Sequence, residues 1–207
     1  MRASEAERGA FGRLRRRGAR LLRHPFRREK RNPRVLAAYA AAIALLIAAR
    51  PTGASLAAGA VLLALGAALR VWAAGHLVKN QALTRTGPYA HVRHPLYAGA
   101  LLMGAGLAVA AGPRVAALAV PLAVGFFFAR YLPRKERAES QRLAGLYGDA
   151  FRDYAAAVPA FVPRLRAWEK APAGARWRAD RVVANNEHSV AAWGAVALAA
   201  IALRMLA

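Results

Sequence analysis

The sequence predicts an all-α protein, a multispan integral membrane helical bundle of about five transmembrane helices. Two observations support this fold class. The 207 residues are 57% hydrophobic and yet carry a formal net charge of +22, which fits a soluble globule poorly. The charge and the apolar residues are also segregated, because arginine-rich blocks alternate with Ala-, Leu- and Val-rich runs that contain almost no charge. This alternation is typical of membrane proteins.

Five apolar runs predict the five helices, at residues 35–49, 55–74, 96–111, 115–129 and 189–203. Several runs are shorter than the roughly 20 residues that cross a bilayer upright, so any one of them could be a buried helix of a soluble protein. Five such runs would leave a soluble domain of this size with too little polar helix surface. We therefore expect short flanking extensions to complete five membrane spans.

The distribution of Lys and Arg predicts the orientation. With a cytoplasmic N-terminus, Arg50 and Arg114 lie in outside loops and Arg204 lies near the outside end of the last helix. The other 29 of the 32 Lys and Arg residues are then inside, as the positive-inside rule requires. The prediction is a multi-pass membrane protein whose N-terminus is cytoplasmic and whose C-terminus is outside.

Charge also divides the chain into four parts. Residues 1–34 form a basic leader with 13 Lys and Arg against 3 acidic residues, predicted to be disordered or to lie on anionic lipid. Nucleic acid is not expected as its partner, because base-stacking aromatic residues are nearly absent there. Residues 35–163 form the membrane core, 164–188 a basic linker and 189–207 a C-terminal transmembrane helix. The absence of cysteine excludes disulfides and thiolate metal sites, and no metal site is predicted.

Chemistry is expected in the two cytoplasmic segments, 75–95 and 130–188. Pro95 suits the first position of a helix, so Arg93 and His94 would stand at a helix start whose free N–H groups and dipole favour an anion. In the second segment a helix is predicted over about 133–146. Lys135 and Glu139, four residues apart, share one face of it, either as a surface ion pair or as part of a site.

The aromatic residues after that helix, Phe151, Tyr154 and Phe161, predict an amphipathic stretch on the membrane interface. From the residues alone, two classes of function remain open: an enzyme with its site at the membrane surface, and a transport or scaffold protein. Arg70 and Arg204 lie near span ends, where they can snorkel, whereas transport favours ionisable residues inside the spans. The enzyme is therefore favoured.

A resemblance to a known family supports the enzyme. The segment GPYAHVRHPLYAG, followed about forty residues later by KERAESQRLAGLYGDAFRDYAAAVPAFVP, resembles the isoprenylcysteine carboxyl methyltransferase and phospholipid methyltransferase superfamily of integral membrane enzymes. The resemblance covers roughly residues 69–163. It implies a cytoplasmic pocket for the cofactor S-adenosyl-L-methionine and a lipid or small lipophilic substrate that enters from the bilayer.

The resemblance also implies residue roles. Lys135 takes the position of an arginine associated with the methyl acceptor, and Ser140 stands where the second glutamate of a pair is usual. Lys135 and Arg93 are the predicted catalytic residues. The predicted cofactor-binding residues are Lys79, Gln81, Ala82, Leu83, Thr84, Tyr89, His94, Pro95, Leu96, Tyr97 and Glu139.

The expected function is therefore S-adenosylmethionine-dependent methylation of a lipophilic acceptor at the cytoplasmic membrane face, with carboxyl O-methylation favoured. Methylation of a phospholipid or another amine is an alternative, and it would need a base such as Glu136 or His91. A non-catalytic membrane scaffold is a further alternative. The acceptor and the oligomeric state stay open.

Overall fold

The described residues of the computed structural model, 33–78, 82–168 and 176–206, form helices and contain no strand, which confirms the all-α class. Each of the five apolar runs is helical. The helices are α1 Pro33–Ala48, α2 Gly53–His76, α3 Pro95–Ala110, α4 Pro113–Phe126, α5 Leu132–Tyr147, α6 Asp149–Ala157, α7 Ala179–Ala184 and α8 Glu187–Leu203. A 3₁₀ turn, Gly87–Ala90, precedes α3, and a π-helical segment, Phe127–Tyr131, joins α4 to α5.

Residues 1–32 of the basic leader and 169–175 of the basic linker lie outside the described residues. The chain divides into two compact units after Ala44, and every contact described below lies within the second unit, from Leu45 onwards.

Two helices of the described chain are long and apolar enough to cross a membrane, which is fewer than the five predicted. They are Gly53–His76 and the continuous helix Pro113–Tyr147, which includes the π-helical segment. The other apolar helices are shorter, and α3, for example, has 16 residues. Composition indicated where apolar helices form, but Pro and Gly residues, such as Pro51 after α1 and Gly112 and Pro113 after α3, end these helices early.

Glycine allows α2 and α3 to lie in close contact. A Cβ atom on Gly59 would lie 2.5 Å from the backbone nitrogen of Ala110, and one on Gly106 would lie 2.7 Å from the backbone nitrogen of Leu63. Further along α2, a Cβ on Gly66 would lie 2.7 Å from the carbonyl oxygen of Gly99. Small residues at such positions let helix backbones approach closely, which is the usual way of packing helices in membranes.

The last helix, α8, packs on both α2 and α3. At one end Glu187 makes a two-point ion pair with Arg70 of α2, with N–O distances of 2.8 and 2.9 Å, and Arg70 also donates to the carbonyl oxygen of Leu96. At the other end Ile201 lies in a core cluster with Ala110. The expectation that Arg70 snorkels to the membrane surface is therefore wrong, because its guanidinium has a buried partner within the protein.

The segment before α8 covers the end of α2. The indole N–H of Trp177 donates to the carbonyl oxygen of Val71, and the backbone N–H of Arg178 donates to that of Gly75. The side-chain amide of Asn185 donates to the carbonyl oxygens of Ala74 and Leu77. The carbonyl groups of Ala74, Gly75 and Leu77 lie at the helix end, where such groups lack a full set of partners within the helix. These hydrogen bonds therefore fix the position of the chain where it leaves α2.

We predict that Gly106→Leu destabilises the protein, because the added side chain would meet the backbone of α2. Overpacking of a closed interface costs about 3 kcal/mol, and it should appear as a lower melting temperature in detergent. Gly104→Leu is the matched control on the same helix, since a Cβ at Gly104 has no atom within 4 Å. Equal melting temperatures of the two variants would contradict the close α2–α3 contact.

We also predict that Glu187→Ala destabilises the protein strongly, because it leaves the Arg70 guanidinium buried without its counter-charge. The side chains of Arg70 and Glu187 are 15% and 5% exposed, and loss of one member of such a pair costs about 3 to 5 kcal/mol. Asp180→Ala breaks the exposed pair with Arg178 and should leave the melting temperature unchanged. A similar small effect of both substitutions would argue against the buried pair.

Candidate functional site

The start of α3 is held by a carboxylate from α5. Pro95 is the first residue of α3, as predicted, and Arg93 and His94 precede it. Both side chains contact Glu136: Arg93 Nη1 lies 2.6 Å from Glu136 Oε1, and His94 Nε2 contacts Glu136 Oε2. The hydroxyl of Ser140 donates to Glu136 Oε1 at 3.0 Å. The anion that this helix start was expected to attract is thus a side chain of the protein itself.

The chain after α6 fixes the other side of the same loop. The backbone N–H groups of Arg93 and His94 donate to the carbonyl oxygens of Pro159 and Ala160, at 2.9 and 3.1 Å. Further along, the N–H of Arg164 donates to the carbonyl oxygen of His91. Backbone on one side and Glu136 on the other therefore leave the Arg93–His94 turn little freedom.

Aromatic residues of α6 form the core beneath this turn. Phe151 and Tyr154 are buried in a cluster with Val158 and Trp168, and the Tyr154 hydroxyl donates to the carbonyl oxygen of Tyr89 at 2.8 Å. The prediction that Phe151 and Tyr154 lie on the membrane interface is wrong, because their faces meet α5 and the 3₁₀ turn. Burial raises the pKa of the Tyr89 and Tyr154 hydroxyls, so both stay neutral.

A pocket of about 350 Å³ opens between the start of α3, α5, α6 and the loop after α2. Of the described residues that line it, only Glu139 carries a carboxylate. The Tyr97 hydroxyl lies 3.4 Å from Glu139 Oε2, and His94 Nδ1 lies 3.8 Å from the same oxygen. Aromatic rings supply much of the remaining wall, from Tyr89, Tyr97, Tyr147, Phe151 and Tyr154.

Most of the residues predicted from the sequence line this pocket. They are Ala82, Leu83, Thr84, Tyr89, Arg93, His94, Pro95, Leu96, Tyr97 and Glu139. The Thr84 side chain accepts a hydrogen bond from the backbone N–H of Val78, which ties the loop to the end of α2. Lys79 and Gln81 lie outside the described residues.

Lys135 is not among the residues that line the pocket. Its side chain is exposed, and its ammonium nitrogen lies 5.9 Å from the centre of the Tyr131 ring. Glu139 and Lys135 share a helix, but Glu139 is the one turned towards α3. The structure thus gives Lys135 no contact with the pocket that a catalytic role would use.

Sequence reasoning missed several pocket residues, which come from α5, α6 and the end of α2. They are Leu77, Val78, Ser140, Arg142, Leu143, Leu146, Tyr147, Phe151 and Tyr154. Ser140 was noticed as a departure from a motif, but its bond to Glu136 was not predicted. The helical spacing of Glu139, Leu143 and Leu146 is the signal in the sequence that could have indicated their common face.

The pocket offers a ligand one carboxylate, at Glu139, and several aromatic faces, beside the cationic side chains of Arg93 and Arg142. A carboxylate surrounded by aromatic faces stabilises an organic cation by charge and by cation–π contact. Among the described residues there is no group of three or more His, Cys, Asp or Glu side chains that could hold a metal ion. Glu136 is occupied by Arg93, His94 and Ser140, so Glu139 is the carboxylate available to a ligand.

Comparison with known proteins identifies two relatives, both bacterial and both named for metal resistance. The cobalt-zinc-cadmium resistance protein CzcN of Cupriavidus metallidurans is 39% identical over 98 residues, which cover 46% of this chain and 43% of the relative. The nickel-cobalt-cadmium resistance protein NccN of Alcaligenes xylosoxydans xylosoxydans is 34% identical over 98 residues, 46% of this chain and 44% of the relative. The match thus spans less than half the length of each relative.

No protein-family model matches the chain. No solved structure gives a significant match to it either.

These relatives overturn the function expected from the motif. The chain was expected to be a methyltransferase of the isoprenylcysteine or phospholipid type, but the proteins it resembles are named for metal resistance, and not for methyl transfer. The structure suggests why the motif misled. Arg93 and His94 bind Glu136, and the ring of Tyr97 stacks on that of His94 with centroids 5.1 Å apart. These residues therefore build a helix start. A shared local geometry does not imply a shared reaction.

We predict that Glu136→Ala lowers the stability of the protein, because it leaves Arg93 and His94 next to the positive end of α3 without a counter-charge. Loss of one partner of a largely buried ion pair costs about 3 kcal/mol, which thermal unfolding in detergent would detect. Arg137→Ala is the control, since Arg137 is an exposed neighbour on α5. A melting temperature equal to that of the control would show that Glu136 does not hold the turn.

Proposed function

We propose that this protein is a membrane component of bacterial resistance to divalent metal cations of the cobalt, zinc, cadmium and nickel group. The observation that carries the proposal is the similarity to two proteins named for resistance to these metals, at 39% and 34% identity over 98 residues. Two apolar helices long enough to span a bilayer support the membrane location.

We further propose that the shorter apolar helices cross the membrane together with α2. The helix α3 lies in close contact with α2 at both Gly59 and Gly66. The helix α8 contacts both of them between Glu187 and Ile201. A helix of 16 residues is roughly 24 Å long, which is short of the roughly 30 Å hydrocarbon layer. Flanking residues and local thinning of the bilayer would make up the difference. With α1 and α4, this gives a five-span, multi-pass protein with the cytoplasmic N-terminus predicted from its charges.

In this proposal the pocket binds a small organic molecule and the protein acts on resistance through that ligand. The support is Glu139, the one carboxylate among the described residues that line this space of about 350 Å³, together with the aromatic rings around it. S-adenosyl-L-methionine, the cofactor expected from the sequence, has the cationic and aromatic groups that such a pocket suits. Its binding is a prediction about the ligand alone, and no methyl transfer to a lipophilic acceptor is proposed.

Growth in the presence of metal tests the function. A strain from which the gene has been deleted should be inhibited at lower concentrations of cobalt, zinc, cadmium or nickel salts, and the wild-type gene should restore growth. Glu139→Gln should restore it less well, because the neutral amide cannot balance a cationic ligand, whereas Arg137→Ala should restore it fully. Unchanged metal tolerance in the deletion strain would refute the resistance role.

Calorimetric titration of the purified protein tests the ligand separately. S-adenosyl-L-methionine or S-adenosylhomocysteine should bind to the wild type. S-adenosyl-L-methionine should bind at least about tenfold more weakly to Glu139→Gln, since one charge-assisted hydrogen bond contributes about 1.5 kcal/mol or more. No heat with the wild type would reject this cofactor while leaving the resistance proposal to the growth experiment.

A further inference from the structure

We propose that residues 162–167, here called the 162–167 loop, lie in the headgroup region of a membrane leaflet that contains anionic lipid. In this arrangement Val162 and Leu165 contact lipid chains and Arg166 contacts phosphate groups. The loop follows α6 and has the sequence VPRLRA, in which apolar and cationic residues are interleaved.

The loop exposes large apolar side chains. Val162 is 73% exposed and Leu165 is 98% exposed, so neither packs against the described protein. Scattered single apolar residues on a surface need no explanation. Here, however, two of them flank Pro163 and Arg164 on one short loop, and Arg166 beside them is exposed as well.

The loop is held in place by hydrogen bonds at both ends. The N–H of Arg164 donates to the carbonyl oxygen of His91, and the N–H of Trp168 donates to that of Ala90. The Arg164 guanidinium donates to the carbonyl oxygen of Ala157 at 3.0 Å. These three hydrogen bonds fix the backbone on either side of Leu165. The exposure of the Leu165 side chain is therefore a property of the fold.

The position of the loop favours lipid over a soluble protein as its partner. Phe161, the residue just before it, contacts Phe127 and Phe128, with ring centroids 5.2 and 4.9 Å apart. These rings stand in the long apolar helix directly before Arg130, its first charge after Arg114. Tyr131 directly follows that charge and stacks on Phe127, and tyrosine is enriched at the membrane–water boundary. Val162, next to Phe161, is therefore placed near that boundary.

The charge of the loop selects the kind of lipid. Arginine near a membrane surface is attracted to anionic headgroups, and its guanidinium binds phosphate at two points. Apolar insertion combined with basic residues is also how amphipathic segments recognise such surfaces. Arg164 of the loop bonds to His91, and Trp168 directly after the loop bonds to Ala90. Because these two residues lie between the pocket residues Tyr89 and Arg93, lipid contact here would set the pocket beside the leaflet.

Fluorescence quenching by lipid tests the proposal directly. The sequence contains no cysteine, so Leu165→Cys in the full chain can carry a single bimane label. The labelled protein is placed in nanodiscs that contain spin-labelled phosphatidylcholine, with or without phosphatidylglycerol. Asp149→Cys is the control, because Asp149 is 89% exposed and lies on the polar start of α6.

We expect stronger quenching at position 165 than at 149, a further increase with phosphatidylglycerol, and loss of that increase when Arg166→Glu is added. Val162→Cys should behave like Leu165→Cys, which guards against a local effect of one substitution. Equal quenching at 165 and 149 would overturn lipid contact and would leave a protein partner as the occupant. Quenching at 165 that is the same with and without phosphatidylglycerol would overturn the role of anionic lipid. Neither result depends on the metal-resistance proposal.

Discussion

The Glu136 carboxylate is the interaction on which the site depends. Arg93 and His94 stand at the positive end of α3, largely buried, where the charge of Arg93 and the helix dipole would repel each other. Glu136 balances them and at the same time joins α5 to α3. Because Glu136 takes this role, Glu139, one turn further on, is free to face the pocket. The two carboxylates, three residues apart, thus have different roles: Glu136 holds the turn before α3, and Glu139 faces the pocket in which a ligand can bind.

The helices behind the site form a support that does not depend on long side chains. Glycine at Gly59, Gly66 and Gly106 brings α2 and α3 together, and α8 lies across both. Close backbone contact buries few flexible groups, so little conformational entropy is lost when the helices pack. The pocket is built at the end of this assembly, where the chain leaves α2 and enters α3. A rigid base with a polar rim is what a binding site requires.

Local patterns in the sequence predicted local structure well. The apolar runs are helices and Pro95 begins α3, because composition and proline position act within a few residues. Most of the residues chosen by motif surround one pocket, whereas the methyl transfer expected there is contradicted by the names of the relatives. The bond of Tyr154 to Tyr89 could not be predicted, since it joins residues 65 positions apart and nothing local requires it. Likewise composition predicted five spans, but only two helices of the described chain are long and apolar enough to cross a membrane, because helix length depends on where single helix-breaking residues fall.

The pairing of Arg70 with Glu187 constrains how the chain can fold during its synthesis. The two residues are 117 positions apart, so Arg70 emerges long before its partner exists. At 5 to 20 residues per second this delay is roughly 6 to 23 s, during which the guanidinium needs water, lipid phosphate or a helper protein. The bundle can therefore close only late, when α8 arrives, and ribosome-bound intermediates that lack α8 would expose one unbalanced charge among apolar helices.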